Sequence, residues 1–159
     1  MFDFLNRNQF TPFIVLDSMP DALSTLKHQV HSDKMDLMST GQTCMPKSME
    51  NFQKLIKEFV YHYTRRYAAT TVNPPCRIQL WSFPKIPKSI WNGTEEQFFD
   101  LIRQTYFTIR STAPEIHLGS PSTMGLGDFS VLKRFLQFCQ REKIYFDFFV
   151  WTPTDLQAR

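Results

Sequence analysis

Cysteine is scarce in this chain of 159 residues: Cys44, Cys76 and Cys139 stand far apart, and no Cys-x-x-Cys pair occurs. An odd, widely spaced set argues against a disulfide scaffold and for a reducing, cytoplasmic compartment. Glycine is also sparse, at five residues, and there is no Gly-rich phosphate loop. Gly125-Leu126-Gly127 lacks a third glycine and a Lys-Ser/Thr pair, so it reads as a flexible turn. Runs of about eighteen apolar residues are missing, as is the basic-then-apolar order of a signal peptide, and no membrane partner is expected. Of the four histidines, His28 and His31 lie three apart with no third ligand at metal-site spacing, so neither a metal nor another cofactor is expected. Charge of one sign is not concentrated either. The net +3 is dispersed, and the longest basic cluster, Arg65-Arg66, suits the end of a helix rather than a phosphate grip. Nothing amounts to a nucleic-acid footprint.

What is present is a core. Hydrophobic residues make up 42% and charged residues 21%, and the length fits a single domain over residues 1–159. Four apolar runs rich in β-branched and aromatic residues read as strands covered on both faces: Pro12 to Asp17, Arg77 to Ser82, Glu115 to Ser120 and Phe146 to Thr152. Three helical patterns separate them. In the first, Ser48 takes the N-cap and Met49, Phe52, Leu55, Ile56, Phe59, Val60 and Tyr63 form a stripe. The second opens on the capping box Thr94-Glu95-Glu96-Gln97, carries Phe98, Leu101, Ile102 and Ile109 on one face, and stops at Pro114. The third follows Asp128 with Val131, Leu132, Phe135, Phe138 and Cys139. Alternating strands and helices predict a parallel sheet, either doubly wound or part of a β/α barrel. Since a full barrel takes about 250 residues, four strands would make half of one.

The strand-to-helix connections, Ser18 to Lys47 and Phe83 to Gly93, are long, and those from helix to strand are short. Sites in parallel α/β folds lie at the carboxyl ends of strands, where the long loops are. Candidates there are Asp17, Ser82, Phe83, Ser120, Trp151 and Thr152. Asp17 is the lone carboxylate among them, so no acid pair for glycoside cleavage is assembled, and a hydrogen bond to its loop backbone is its simpler role. A Gly-x-Ser-x-Gly elbow is absent, and Cys139 reads as a buried thiol. The rings of Trp81, Phe83, Trp91 and Trp151 could stack on sugars or fill a core, and composition does not separate the two.

Several segments, in unbroken order, resemble glycoside hydrolase family 39, the β-xylosidase and α-L-iduronidase family. FLNRNQFTPFIVLDSMPDAL (4–23) is similar to the family's third strand, and FQKLIKEFVYHYTRRYA (52–68) to the helix before its fourth. LWSFPK (80–85) stands where the family has Trp-Asn-Glu-Pro-Asn, and IWNGTEEQFFDLI (90–102) resembles the family's Phe-Trp-x-Gly-Thr and the helix after it. IHLGSPST (116–123) and FLQFCQREKIYFDFFVWT (135–152) are similar to the fifth strand and to the next helix and strand.

The resemblance implies a partial (β/α)8 barrel of about four consecutive units, roughly the third to the sixth. It also implies what has changed. Phe83 occupies the position of the acid/base glutamate, Ser82 that of the preceding asparagine, and Thr152 that of the sixth-strand histidine, while the nucleophile's strand falls after Arg159. A phenyl ring exchanges no proton, so no catalytic residue is expected. Asp17, Trp81, Ser82, Phe83, Trp91, Trp151 and Thr152 remain as substrate-binding candidates. Degenerate domains of this kind, fused to helix-turn-helix segments in AraC-type regulators of sugar-using bacteria, imply a sensor or scaffold. Its partners would be a xylose-type mono- or oligosaccharide, and DNA only through a helix-turn-helix outside this chain. The alternative is a fragment of an active β-xylosidase-like enzyme whose acids lie elsewhere. The uncovered strand edges of a half barrel further predict a homodimer.

Overall fold

A computed structural model describes residues 1–16, 19–25, 43–67, 76–81, 91–122 and 129–151. Its elements run helix α1 (Phe2–Arg7), strand β1 (Phe13–Leu16), short strand β2 (Thr43–Cys44), helix α2 (Met49–Tyr67), strand β3 (Arg77–Leu80), short strand β4 (Trp91–Asn92), helix α3 (Glu95–Thr112), strand β5 (His117–Gly119) and helix α4 (Phe129–Glu142). The main sheet has the order β1-β3-β5, all parallel, with Ile14 opposite Ile78 and Ile78 opposite Leu118. Each strand lies beside its successor, and helix packs on successive helix, α2 on α3 and α3 on α4. A doubly wound sheet reverses strand order at a switch point, whereas a barrel only advances. Among the described residues the order only advances.

The helices form where their patterns lie. Asn51 N–H bonds Ser48 Oγ at 3.2 Å, and Thr94 and Gln97 close a reciprocal capping box at 3.2 and 2.9 Å. α2 buries Phe52, Ile56, Val60 and Tyr63, while Leu55 of the expected stripe faces outward. α3 is buried more widely, adding Phe99, Thr105, Tyr106 and Thr108 to its apolar stripe, because it is flanked by both other long helices as well as the sheet. Together with Ile78, Leu80, Ile116 and Leu118 of the sheet region and Phe135 of α4, these residues make the core.

The strand expected over Phe146 to Thr152 is reduced to one parallel bridge, Phe148 to Gly119. Its hydrogen bonds explain why. Asp147 N–H donates to Leu118 O at 2.8 Å, but the Leu118 N–H goes to the Asp147 carboxylate at 2.7 Å, where a regular ladder would offer a backbone carbonyl. One step on, Val150 N–H goes to Ser120 Oγ at 3.2 Å rather than to a carbonyl. Two backbone bonds, that of Asp147 N–H to Leu118 O and that of Ser120 N–H to Phe148 O at 3.0 Å, thus make the bridge, and side chains hold the segment where the regular ladder stops. Arg110 secures it from α3, pairing with Asp147 and donating to Ile116 O at 2.9 Å, and the Tyr106 hydroxyl bonds the Tyr145 backbone at 3.1 Å.

On the concave face, paired residues point to one side, which aligns Val15, Gln79 and Gly119. The Phe148 ring lies over Gly119, where a Cβ would sit 2.2 Å from it, and reaches Phe13 with ring centroids 5.8 Å apart. The first and fourth chain segments of the arc therefore meet across its hollow, so the sheet is curved like a barrel wall.

Gly119→Ala should displace the Phe148 ring and destabilise the protein by about 1–3 kcal/mol. In a Phe148→Ala background urea unfolding should show a cost smaller by at least about 0.5 kcal/mol, the mark of direct coupling. For Asp147, burial alone would raise the carboxyl pKa. The Leu118 N–H and the Arg110 guanidinium outweigh it and hold the group below its ordinary value. Its stabilising contribution is therefore complete above about pH 4 and lost as pH falls through the lower folded value. Asp147→Asn should flatten that part of the stability-versus-pH curve, which acid titration of the unfolding midpoint will read.

Candidate functional site

The carboxyl ends of β1, β3 and β5 are joined through the backbone of Trp81. Its N–H donates to Leu16 O at 2.7 Å, and its carbonyl accepts from Ser122 N–H at 3.1 Å and from Gln79 Nε2 at 3.0 Å. To do this Trp81 adopts φ 45°, left-handed backbone that costs a non-glycine residue about 1–2 kcal/mol. Such strain persists only where surrounding contacts over-determine it. Here they are the three hydrogen bonds and the indole, 2% exposed and packed against Phe52 of α2 with centroids 5.9 Å apart. Among the described residues the indole Nε1 has no hydrogen-bond partner, a further local cost that packing must offset.

The described ends of the two long loops pair with each other. β2 and β4 pair in parallel, Thr43 with Trp91 and Cys44 with Asn92. The base of the first loop is closed by the antiparallel bridge Ser24 to Pro46, by Lys47 N–H to Leu23 O at 2.8 Å, and by the contact of Ser24 Oγ with Cys44 Sγ at 3.3 Å. Trp91 is 5% exposed, with its indole N–H on Thr94 O at 2.9 Å and its ring edge-on to Phe98. It anchors the loop to the start of α3.

The expected site residues are thus distributed unequally. Trp81 and Trp91 lie in the core beneath the mouth, and Trp151 at the end of the fourth segment is 59% exposed. Asp17, Ser82, Phe83 and Thr152 lie outside the described residues. Ser120 is buried, its hydroxyl engaged with Pro121 O and Val150 N–H. Gln79 and Ser122 were not among the expected site residues. A glutamine inside the apolar run RIQL was the available signal for Gln79, and Ser122 had none. No cluster of three metal-ligating side chains occurs among the described residues. Burial pushes the Cys76 and Cys139 thiols up to about 12, which removes them as nucleophiles near neutral pH. The cleft of about 350 Å³ lined by Asp3, Asn6, Arg7, Arg66 and Tyr67 lies between α1 and the end of α2, on the amino-end side of the sheet, which in barrels serves stability. There the Tyr67 hydroxyl and Arg66 hold the exposed Asp3 carboxyl below its ordinary value.

With strand order, curvature and mouth in place, comparison with known proteins becomes informative. The profile of Glycosyl hydrolases family 39 matches residues 1–157. The chain belongs to that family. Among curated relatives of this family 39 chain, a β-xylosidase of Caldicellulosiruptor saccharolyticus is 31% identical over 156 residues, 97% of this chain and 30% of the relative. A β-xylosidase of Geobacillus stearothermophilus is 26% identical over 137 residues, 86% and 26% of the two chains. The chain thus spans less than a third of the length of either. The solved structure of a family 39 β-xylosidase from Caulobacter crescentus superposes with a TM-score of 0.75 at 24% identity, covering 96% of this chain and 32% of that one. A glucosidase from Croceicoccus marinus reaches 0.59 at 14% identity, covering 94% and 39%. These structures establish the fold, of which the family 39 chain described here forms part of the barrel. No helix among its described residues is long and apolar enough to cross a membrane.

The two described tryptophan environments separate experimentally. Trp81→Ala should cost about 3–5 kcal/mol of stability, whereas Trp151→Ala should stay within about 0.5 kcal/mol. Chemical denaturation of the two variants checks both values.

Proposed function

We propose that this chain is the sugar-recognising wall of a family 39 barrel that no longer cleaves glycosidic bonds. It would act as the sensing or scaffold part of an AraC-type helix-turn-helix regulator of carbohydrate use, with DNA contacted only outside these residues. The observation that carries the reading is the run LWSFPK (80–85), which by its resemblance to the family's Trp-Asn-Glu-Pro-Asn would set Phe83 at the acid/base position and Ser82 at that of the preceding asparagine. A retaining glycosidase needs one carboxyl to protonate the leaving oxygen and another to attack, and a ring supplies neither. The arrangement around Trp81 lends support. Among the described residues its three backbone hydrogen bonds and its packing involve no carboxylate, so an exchange of the acid would leave these contacts standing. The expected ligand is a xylose-type mono- or oligosaccharide.

A second reading is favoured by the relatives themselves. Two of the curated relatives are β-xylosidases, and the chain covers 30% and 26% of their lengths. The residues would then be part of an active hydrolase whose acids are Asp17 or groups supplied from outside this segment.

Calorimetry of the full-length protein with xylose and xylobiose, paired with an aryl-xyloside assay, decides between them. The expected outcome is saturable sugar binding, weakened by Trp151→Ala, with no turnover. Turnover abolished by Asp17→Asn would establish the second reading, and failure to bind any sugar would remove the sensor.

A further inference from the structure

We infer that Gln79 is a positioning residue for the mouth: its side-chain amide holds the Trp81 backbone in the left-handed form that keeps the indole out of the hollow. The inference rests on the reading of the carboxyl face as a sugar mouth. Gln79 stands on the concave face with Val15 and Gly119, in register across β1, β3 and β5. Side chains two residues apart on an extended strand share a face, so an extended Trp81 would direct its ring into the hollow above Gln79. Instead its φ is 45°, and the indole packs against Phe52 of α2, on the helix side of the sheet.

Two features mark the inverted form as one that needs support. Left-handed backbone is unfavourable for a residue with a side chain, and among the described residues the buried indole Nε1 has no hydrogen-bond partner. An extended Trp81 would be free of the first burden, and its indole N–H would meet water at the mouth, which removes the second. The Gln79 amide opposes that relaxation. It is 5% exposed, and its Nε2 donates to Trp81 O at 3.0 Å. A backbone carbonyl only accepts, so this partner fixes which end of the amide faces it. The same carbonyl accepts from Ser122 N–H at 3.1 Å, while the Trp81 N–H is held by Leu16 O. Gln79 and the turn after β5 therefore grip the carbonyl together, and loss of the side-chain donor leaves Ser122 to hold it alone. Every group in this device lies within the span from β1 to the turn after β5.

Fluorine NMR of the full-length protein labelled with fluorotryptophan tests it, the Trp81 signal being assigned by its loss in Trp81→Phe. Gln79→Met keeps the side-chain length and removes the donor. In that variant the Trp81 signal should acquire the solvent-isotope shift of an exposed ring, and xylobiose affinity should fall about tenfold as the ring occupies the mouth. Gln79→Glu should behave like Gln79→Met at about pH 8, where a carboxylate has no proton to donate. It should recover the unaltered signal as pH falls through the raised pKa of a buried carboxyl, which then donates its O–H. A merely structural glutamine would give neither the shift nor the recovery. A folded Gln79→Met variant whose Trp81 ring stays shielded, or a Gln79→Glu signal that does not respond to pH, would overturn the inference whether or not sugar binds. Failure of the unaltered protein to bind sugar would remove the sugar mouth, and the fluorine signal would still decide where the ring lies. If neither variant folds, hydrogen exchange at the Gln79 side-chain amide of the unaltered protein decides: protection of at least about tenfold supports the bond, and free exchange overturns it.

Discussion

The main chain of Trp81 is the joint on which the carboxyl face depends. One strained residue accepts and donates hydrogen bonds so that β1, β3 and the turn after β5 end together. Left-handed backbone is expensive for a tryptophan, and the core meets that expense by burying the indole against Phe52. The loop after it begins from a rigid point, and its far end is equally anchored where Trp91 sits over Phe98. A face built this way is held by packing and backbone geometry, with the chemistry of any one loop side chain left free to change.

The trailing side of the arc obeys a different constraint. The sheet gains its fourth position without a regular ladder, because the Asp147 carboxylate and the Ser120 hydroxyl take the places of backbone acceptors. An ionised carboxylate accepts a stronger hydrogen bond than a carbonyl, and Arg110 balances its charge from α3. The attachment is local and polar, while the concave face above it rests on aromatic contact between Phe148 and Phe13 over Gly119. Polar ties along the segment and ring contacts in the hollow accompany the curvature that distinguishes a barrel wall from an open sheet.

How much of this could be read from the residues depends on the range of the interaction involved. α2, α3 and α4 were legible because their stripes and caps are local: Ser48, Thr94 and Gln97 act within one turn. Three of the four strands were legible as short apolar runs. The fourth run, FDFFVWT, looked no different, yet it pairs through a single bridge, since the rivalry between the Asp147 side chain and the backbone arises only when Leu118 is beside it. β2 and β4 were not legible at all, being two-residue pairings across the long loops with no period to detect. Of the site, the tryptophans were found by type, but their environments were not: Trp81 and Trp91 are closed into the core and Trp151 is open.

By itself the sequence determined the alternation of strands and helices, the helix starts and the family, all of which rest on residue type and order. Tertiary structure decided the advancing strand order, the inward turn of Trp81 and Trp91 and the irregular fourth position. The reason is physical. Periodicity and capping are governed by neighbours within four residues, whereas sheet order, burial and the choice between side-chain and backbone acceptors depend on groups brought together from distant parts of the chain.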